Sequence, residues 1–432
     1  MAELPKAPAG GEKSAPPAGT SPHGVSFSAF RAALTPTVLV AALGYFVDIY
    51  DLLLFRIVRE PSLRALGVPE SGTLAAGLTL DNWQQAGLLL GGILWGTLGD
   101  KRGRVRVLYG SILLYSVANL LNAFVTTMPQ YELLRFLAGI GLAGELGVAI
   151  TLVSEVLPAA IRGYGTTIVA SVGVLGAVVA AGVAKLSDWK VAYVVGGSLG
   201  LALLAFRVRL AESGLFSESA GEATSRGNFL MLFTQAGRFG RYVGSIAIAV
   251  PIWFVIGLLV AYGNKLAKEL GIVGAVNPAD CILFAYSGLA VGDLTSGLVS
   301  QQLGSRRKAI GAYVGFTLLG VVAYFTALRG QSASVFLGMC FVLGVGIGYW
   351  AMFMQATAEQ FGTNLRATAT TSASNFVRAA VIPMGFVVKA FAPTMGLTHV
   401  VQLIGVVVFA CAAVALALLP ETFGKSLDYV EE

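Results

Sequence analysis

Asp48, Asp51, Glu145, Asp293 and Arg378 are ionisable residues set well inside long runs of apolar sequence. A charge near the middle of a bilayer costs at least a few kcal/mol, so each is expected to face a cavity, a partner or a ligand. A guanidinium keeps its proton at any accessible pH. Arg378 must therefore be answered by an internal carboxylate or by an external anion, and the second reading makes it the candidate anchor of a negatively charged solute. Carboxylates can do the complementary chemistry by taking up a proton and releasing it. Glu145 lies among Gly139, Gly141, Gly144 and Gly147, Asp51 stands about one helical turn beyond Asp48, and Asp293 follows Gly292. All four acids are candidates for proton coupling, with Arg135 as a candidate counter-charge. The structural alternative is permanent pairing: Glu145 with an arginine such as Arg135, Asp48 and Asp51 with Arg56 or Arg135, and Asp293 within its own helix bundle. Asn375, Tyr349, Trp350 and Trp253 are candidate walls of the substrate cavity, although aromatic stripes also serve packing or face lipid.

The elements that must hold these residues are membrane helices. Hydrophobic residues make up 56% of the 432-residue chain and charged residues only 12%, and a soluble fold could not hide that much apolar surface. Apolar runs of about 20 residues, enough to cross a roughly 30 Å hydrocarbon core, recur with short breaks from residue 33 to residue 419. They predict twelve helices, the second at 83–99. Counting about 1.5 Å per residue from the nearest inner helix ends puts Asp48, Glu145, Asp293 and Arg378 at roughly 15 to 21 Å, near one level.

The polar interval after residue 206 splits the helices six and six. The expected organisation is a disordered tail at 1–30, bundles at 31–206 and 240–420, a linker at 207–239 and a short tail at 421–432. The halves repeat. Glu155 and Arg162 in the first correspond to Glu359 and Arg366 in the second at a shift of 204, and Gly96, Gly103 and Arg106 correspond to Gly297, Gly304 and Arg307 at a shift of 201. Lys and Arg, including Lys101, Arg102, Arg104, Arg162, Arg306, Arg307 and Arg366, gather in the loops on one side of the membrane. Such a bias marks the cytoplasmic side and is expected to place both termini there. Cys281, Cys340 and Cys411 are isolated, and His23 and His399 are far apart, so neither a disulfide framework nor a metal centre is expected. No nucleophile–base pair or phosphate-binding glycine loop suggests an enzyme, no cofactor is implied, and no basic, aromatic-studded surface suggests nucleic acid.

The run GTLGDKRGR, from Gly96 through Asp100 to Arg104, resembles the signature loop of the major facilitator superfamily between its second and third helices. RFLAGIGLAGE, from Arg135 to Glu145, with Glu155 and Arg162, resembles the fourth helix of the metabolite:proton symporters. EQFGTNLR, from Glu359 to Arg366, with Arg378 and Pro383, is similar to the tenth and eleventh helices of the organic-anion transporters, where the eleventh-helix arginine is associated with anionic substrates. YFVDIYDL, from Tyr45 to Leu52, is similar to the first helix of phosphate:proton symporters, and the run beginning Pro420-Glu421-Thr422 resembles a C-terminal motif of sugar porters. The resemblance implies an all-α membrane protein of twelve helices in two pseudo-symmetric bundles, working by alternating access with small solute, protons and lipid as partners and acting as a monomer. Gly96, Asp100, Arg104, Glu155, Arg162, Glu359 and Arg366 would gate the inner face, with Gln301 standing where the second half would need its acid. Together with the buried charges it points to proton-coupled symport of a small organic anion, such as a carboxylate; the compact loops and the lack of a targeting run point to a bacterial inner membrane. Phosphate, a sugar or an organic cation on the same fold, or a non-transporting sensor, are the alternatives.

Overall fold

The computed structural model describes residues 27–69, 72–212, 227–425 and 429–431. Its elements are α1 (Phe27–Ala33), α2 (Pro36–Ala65), α3 (Thr73–Arg102), α4 (Arg104–Asn122), α5 (Met128–Leu142), α6 (Glu145–Val156), α7 (Ala159–Leu186) and α8 (Trp189–Glu212) in the first half. The second half holds α9 (Ala236–Phe254), α10 (Gly263–Glu269), α11 (Pro278–Leu303), α12 (Arg306–Thr326), α13 (Ala333–Gly346), α14 (Trp350–Gln360), α15 (Arg366–Ala379), α16 (Val381–Met395) and α17 (Leu397–Leu418). Helices satisfy their backbone groups internally, which is what a chain crossing hydrocarbon requires.

Eleven helical stretches among the described residues are long and apolar enough to span a membrane. The remaining crossing is α3, a 30-residue helix whose length of about 45 Å exceeds the hydrocarbon core. Its polar residues Asp81, Gln84 and Gln85 near one end and Asp100, Lys101 and Arg102 at the other dilute its apolar character. The protein is thus an integral, multi-pass membrane protein, and side chains such as Leu319, Val406, Val407 and Leu418 stand exposed where lipid would cover them.

Three of the expected continuous spans are broken. Ala143 and Gly144 separate α5 from α6, residues 347–349 separate α13 from α14, and Ala380 separates α15 from α16, while α9 passes into a π-helical turn at Val255–Val260. The repeat seen in sequence is also a packing repeat. A Cβ on Gly87 would strike the carbonyl of Phe136 and one on Gly91 that of Ile140; in the second half Gly288 and Gly292 stand in the same way against Phe341 and Val345. These glycines let α3 close onto α5, and α11 onto α13, at backbone distance, the contact that small residues permit where lipid supplies no hydrophobic drive.

The segments expected outside the bundles are more structured than composition suggests. Residues 1–26 lie outside the described residues, but 27–30 already belong to α1, where Phe30 packs edge-on to Tyr164. The sixth crossing does not end at residue 206: α8 runs on to Glu212 and carries Arg207 inside. Of the expected linker, 213–226 lies outside the described residues, and Phe229–Phe233 forms a 3-10 turn in which Phe229 stacks on Phe376. The C-terminal tail docks back, with Thr363 N–H donating to Tyr429 O and Glu431 paired with Arg238 at 3.2 Å and Arg241 at 2.9 Å. Burial alone would raise the Glu431 carboxyl, but Arg241 and then Arg238 outweigh it, leaving it below the ordinary Glu range. Both ends of the described chain therefore meet one face, called here the terminal face.

Candidate functional site

Between the halves, near the middle of the spans, lies a cavity lined by Tyr45, Ile49 and Leu52 of α2, Ile252 and Trp253 of α9, Ile256 of the π turn, Tyr286 and Leu289 of α11, Trp350 of α14 and Arg378 of α15. Its walls are aromatic and aliphatic, and Arg378 is the one cation among the described residues that line it. The guanidinium carbon stands 5.7 Å from the centre of the Trp350 ring, within cation–π range, and Trp350 meets Trp253 at 6.5 Å and 65°. Arg378 is only 4% exposed, yet among the described residues it forms no hydrogen bond or ion pair, and its Nε is buried without a partner.

Asp48 of α2 is fully buried, and neither of its carboxylate oxygens has a hydrogen-bond partner. Arg378 is the cation that acts on it most strongly, although the two form no salt bridge among the described residues. The two ionisable groups thus lie near each other in the buried interior without pairing among the described residues. Asp51, likewise fully buried, faces Asn119 and Arg135 inside the first bundle. There Arg135, fully buried, donates to Asn119 Oδ1 at 3.1 Å and lies 4.5 Å over the Phe55 ring.

Glu145 has a different partner from the one considered in the sequence. Both its oxygens accept from Arg207, Oε2 at 3.2 Å and Oε1 in a shorter contact, and Arg207 also donates to Val40 O. The Gly44 backbone passes so close to this pair that a Cβ would collide with both charged groups. Removing either partner of a fully buried, two-bonded pair of this kind typically costs about 3–5 kcal/mol because the other group is left stranded. In this conformation both oxygens of Glu145 are committed to Arg207.

Two proposed wall residues do not line the cavity. Asn375 donates to Ala143 O at 3.2 Å and to Thr371 O at 2.8 Å, tying α15 to the break between α5 and α6. Tyr349 donates to Ile248 O at 2.9 Å and packs beside Tyr313. Trp253 and Trp350 do line it, and Tyr45 and Tyr286 are walls that sequence reasoning missed. Their only sequence signal was helical spacing, Tyr45 being three residues from Asp48 and Tyr286 seven from Asp293.

The gating motifs meet at the terminal face, where they close the seam between the halves. Asp100 accepts from the Ala367 and Thr368 N–H groups at 3.0 and 2.7 Å, a carboxylate placed on the N-terminus of α15, and Gly96 lets α3 reach the same backbone. The two Glu–Arg motifs bond crosswise. Arg366 reaches Glu155 at 2.8 Å, and Arg162 lies 3.6 Å from Glu359. Glu359 also accepts from Arg306 at 3.5 Å and from Thr422 Oγ1 at 2.8 Å. Glu421 caps α12 through Ser305 and Arg306; burial would raise its carboxyl, but those donors with the Phe423 and Thr422 N–H groups hold it below the ordinary Glu range. The side chain of Arg104 lies outside the described residues.

A family model described as Major Facilitator Superfamily matches residues 19–386. The niacin transporter of Acinetobacter baylyi is 26% identical over 381 residues, covering 80% of this chain and 85% of that protein. The benzoate transport protein of the same organism is 23% identical over 380 residues, covering 78% of each. Among solved structures, a proton:xylose symporter bound to a bromo-deoxyglucose superposes with a TM-score of 0.71 at 16% identity, over 93% of this chain and 98% of that one.

Proposed function

This chain belongs to the Major Facilitator Superfamily, a family of membrane transporters rather than enzymes, and we propose that it carries a small aromatic carboxylate together with a proton, by alternating access. The observation that carries the reading is the unpaired couple at the centre: Arg378, which lines the apolar cavity and has no ion-pair partner among the described residues, and beside it Asp48, buried on α2 just behind the cavity wall with neither oxygen hydrogen-bonded among those residues. A buried charge in such surroundings must be matched. An incoming carboxylate matches Arg378 through a two-pronged, charge-assisted contact, and a proton neutralises Asp48. The two events help each other, because a neutral Asp48 stops competing for Arg378, and by linkage each ligand favours the other.

Wall chemistry supports an aromatic solute. Tyr45, Trp253, Tyr286 and Trp350 offer ring faces and edges to a flat π system but few hydrogen-bond partners for the hydroxyls of a sugar or the oxygens of phosphate, which would be buried unsatisfied. The names of the niacin and benzoate transporters agree with this class. In the proposed cycle the terminal face is closed here by Asp100, Glu155–Arg366 and Arg162–Glu359, and opens when those contacts break. In this reading the terminal face and both termini are cytoplasmic, which the Lys and Arg gathered there support, and the chain sits in a bacterial inner membrane. The test is uptake of radiolabelled benzoate into vesicles reconstituted with the purified protein. Accumulation that follows an acid-outside gradient supports the reading, and benzoate flux that ignores the gradient, or uptake of phosphate or xylose instead, overturns it.

A further inference from the structure

At mid-membrane both halves break a helix, α5/α6 in the first and α13/α14 in the second, and both place a carboxylate at the start of the resumed helix. In the first half it is Glu145, in the first turn of α6, and Arg207 cancels it. In the second half the residue that opens the helix is Trp350, and the carboxylate arrives from a neighbouring helix: Asp293 of α11 accepts the Ala351 N–H at 3.2 Å on Oδ1 and also faces the Trp350 N–H. Asp293 is fully buried, its Oδ2 has no hydrogen-bond partner, and among the described residues it forms no ion pair. Among the described residues the groups that answer it are peptide N–H donors at the positive end of α14.

The backbone around this contact leaves little slack. Gly292 and Gly348 touch so closely that a Cβ on Gly348 would collide with the Gly292 backbone, and Tyr349 is tied by its hydroxyl to Ile248 O. The first residue held by Asp293 is the one whose ring lies under the Arg378 guanidinium. We infer that Asp293 is the positioning residue of the anion pocket: by accepting the first N–H groups of α14 it sets where Trp350 stands and hence how Arg378 is presented. The inference rests on the proposed anion role of Arg378, but its first test does not need a ligand.

Label the full-length protein with 5-fluorotryptophan and record its fluorine spectrum in detergent. The five tryptophans give separable reporters, with the Trp350 resonance assigned by its loss in Trp350→Phe. In Asp293→Leu, which keeps bulk but offers no acceptor, the Trp350 resonance should move or broaden while those of Trp83 and Trp189 stay in place and certify the fold. Asp293→Asn keeps an acceptor oxygen and should restore the wild-type position. Asp293→Ala replaces the Leu variant if the reporters in the first half show misfolding. An unmoved Trp350 resonance in Leu or Ala, or an Asn variant no closer to wild type than Leu, overturns the inference. Benzoate titrated into the same samples gives the second readout, with affinity falling roughly tenfold in Leu and returning in Asn. If wild type itself does not bind benzoate while the Trp350 resonance responds to Asp293 as described, the anion reading fails and the positioning role stands.

Discussion

Replacing Arg378 with alanine should abolish benzoate binding while leaving the ligand-free protein as stable as wild type or more so. Truncating one partner of a buried, hydrogen-bonded charge pair costs about 2–5 kcal/mol, which corresponds to an affinity loss of roughly 30-fold to several thousandfold. The stability expectation separates this reading from the structural one. The Arg378 side chain forms no hydrogen bond or ion pair among the described residues, so its removal strands no hydrogen-bonded or salt-bridged partner and deletes a buried charge that the stacking on Trp350 and the nearby Asp48 offset only in part. Were Arg378 the permanent partner of an internal acid, Arg378→Ala would melt early. Arg378→Lys should fall between, since an ammonium keeps the charge but loses the planar two-pronged contact and the stacking on Trp350. Thermal melts with and without benzoate read both quantities in one series, and benzoate stabilisation that survives Arg378→Ala would remove the anchor from the account.

The second large effect falls on coupling. A carboxylate moving inward with one proton carries no net charge, so a pH gradient alone sets its accumulation: about tenfold per unit, from roughly 1.36 kcal/mol per pH unit. Asp48→Asn presents a permanently neutral side chain in place of the protonated acid. The variant should bind benzoate, exchange labelled for unlabelled benzoate across the membrane, and fail to concentrate it against a gradient, with accumulation close to onefold where wild type reaches about tenfold. The residue to test is Asp48 because its oxygens are free. The carboxylate of Glu145 is already committed to Arg207. Gradient-driven accumulation that persists in Asp48→Asn would move the proton to another group, and Asp51 and Asp293 are the remaining buried acids without a salt bridge among the described residues.

What the sequence made legible follows from what spacing can encode. The repeated Glu–Arg motifs, seven residues apart in each half, announced a duplicated chain, and in the structure they pair crosswise, Glu155 with Arg366 and Arg162 with Glu359. Spacing within a motif could not tell that each arginine would choose the glutamate of the other half, because that choice depends on the axis relating the bundles. Arg207 was read as a linker residue because it follows the last apolar run; only the continuation of α8 to Glu212 brings it onto Glu145. Depth could be counted from helix ends, so Asp48, Asp293 and Arg378 were placed near one level. The facing of Asn375 and Tyr349 was not legible. Tyr349 sits in the break before α14, and Asn375 is spent on the break between α5 and α6. A 3.6-residue period carried across such a break loses its phase.

The central claim is that one anion site at Arg378 and one proton site at Asp48 fill together, and calorimetry of benzoate binding tests it most directly. Titrations repeated in buffers of different ionisation enthalpy report the protons taken up as the complex forms. The account predicts that wild-type protein, at a pH high enough to leave Asp48 ionised in the free state, takes up about one proton per benzoate bound, and that Asp48→Asn binds benzoate with no uptake. Benzoate binding to wild type with no proton uptake across the accessible pH range, or uptake that is unchanged in Asp48→Asn, would contradict it.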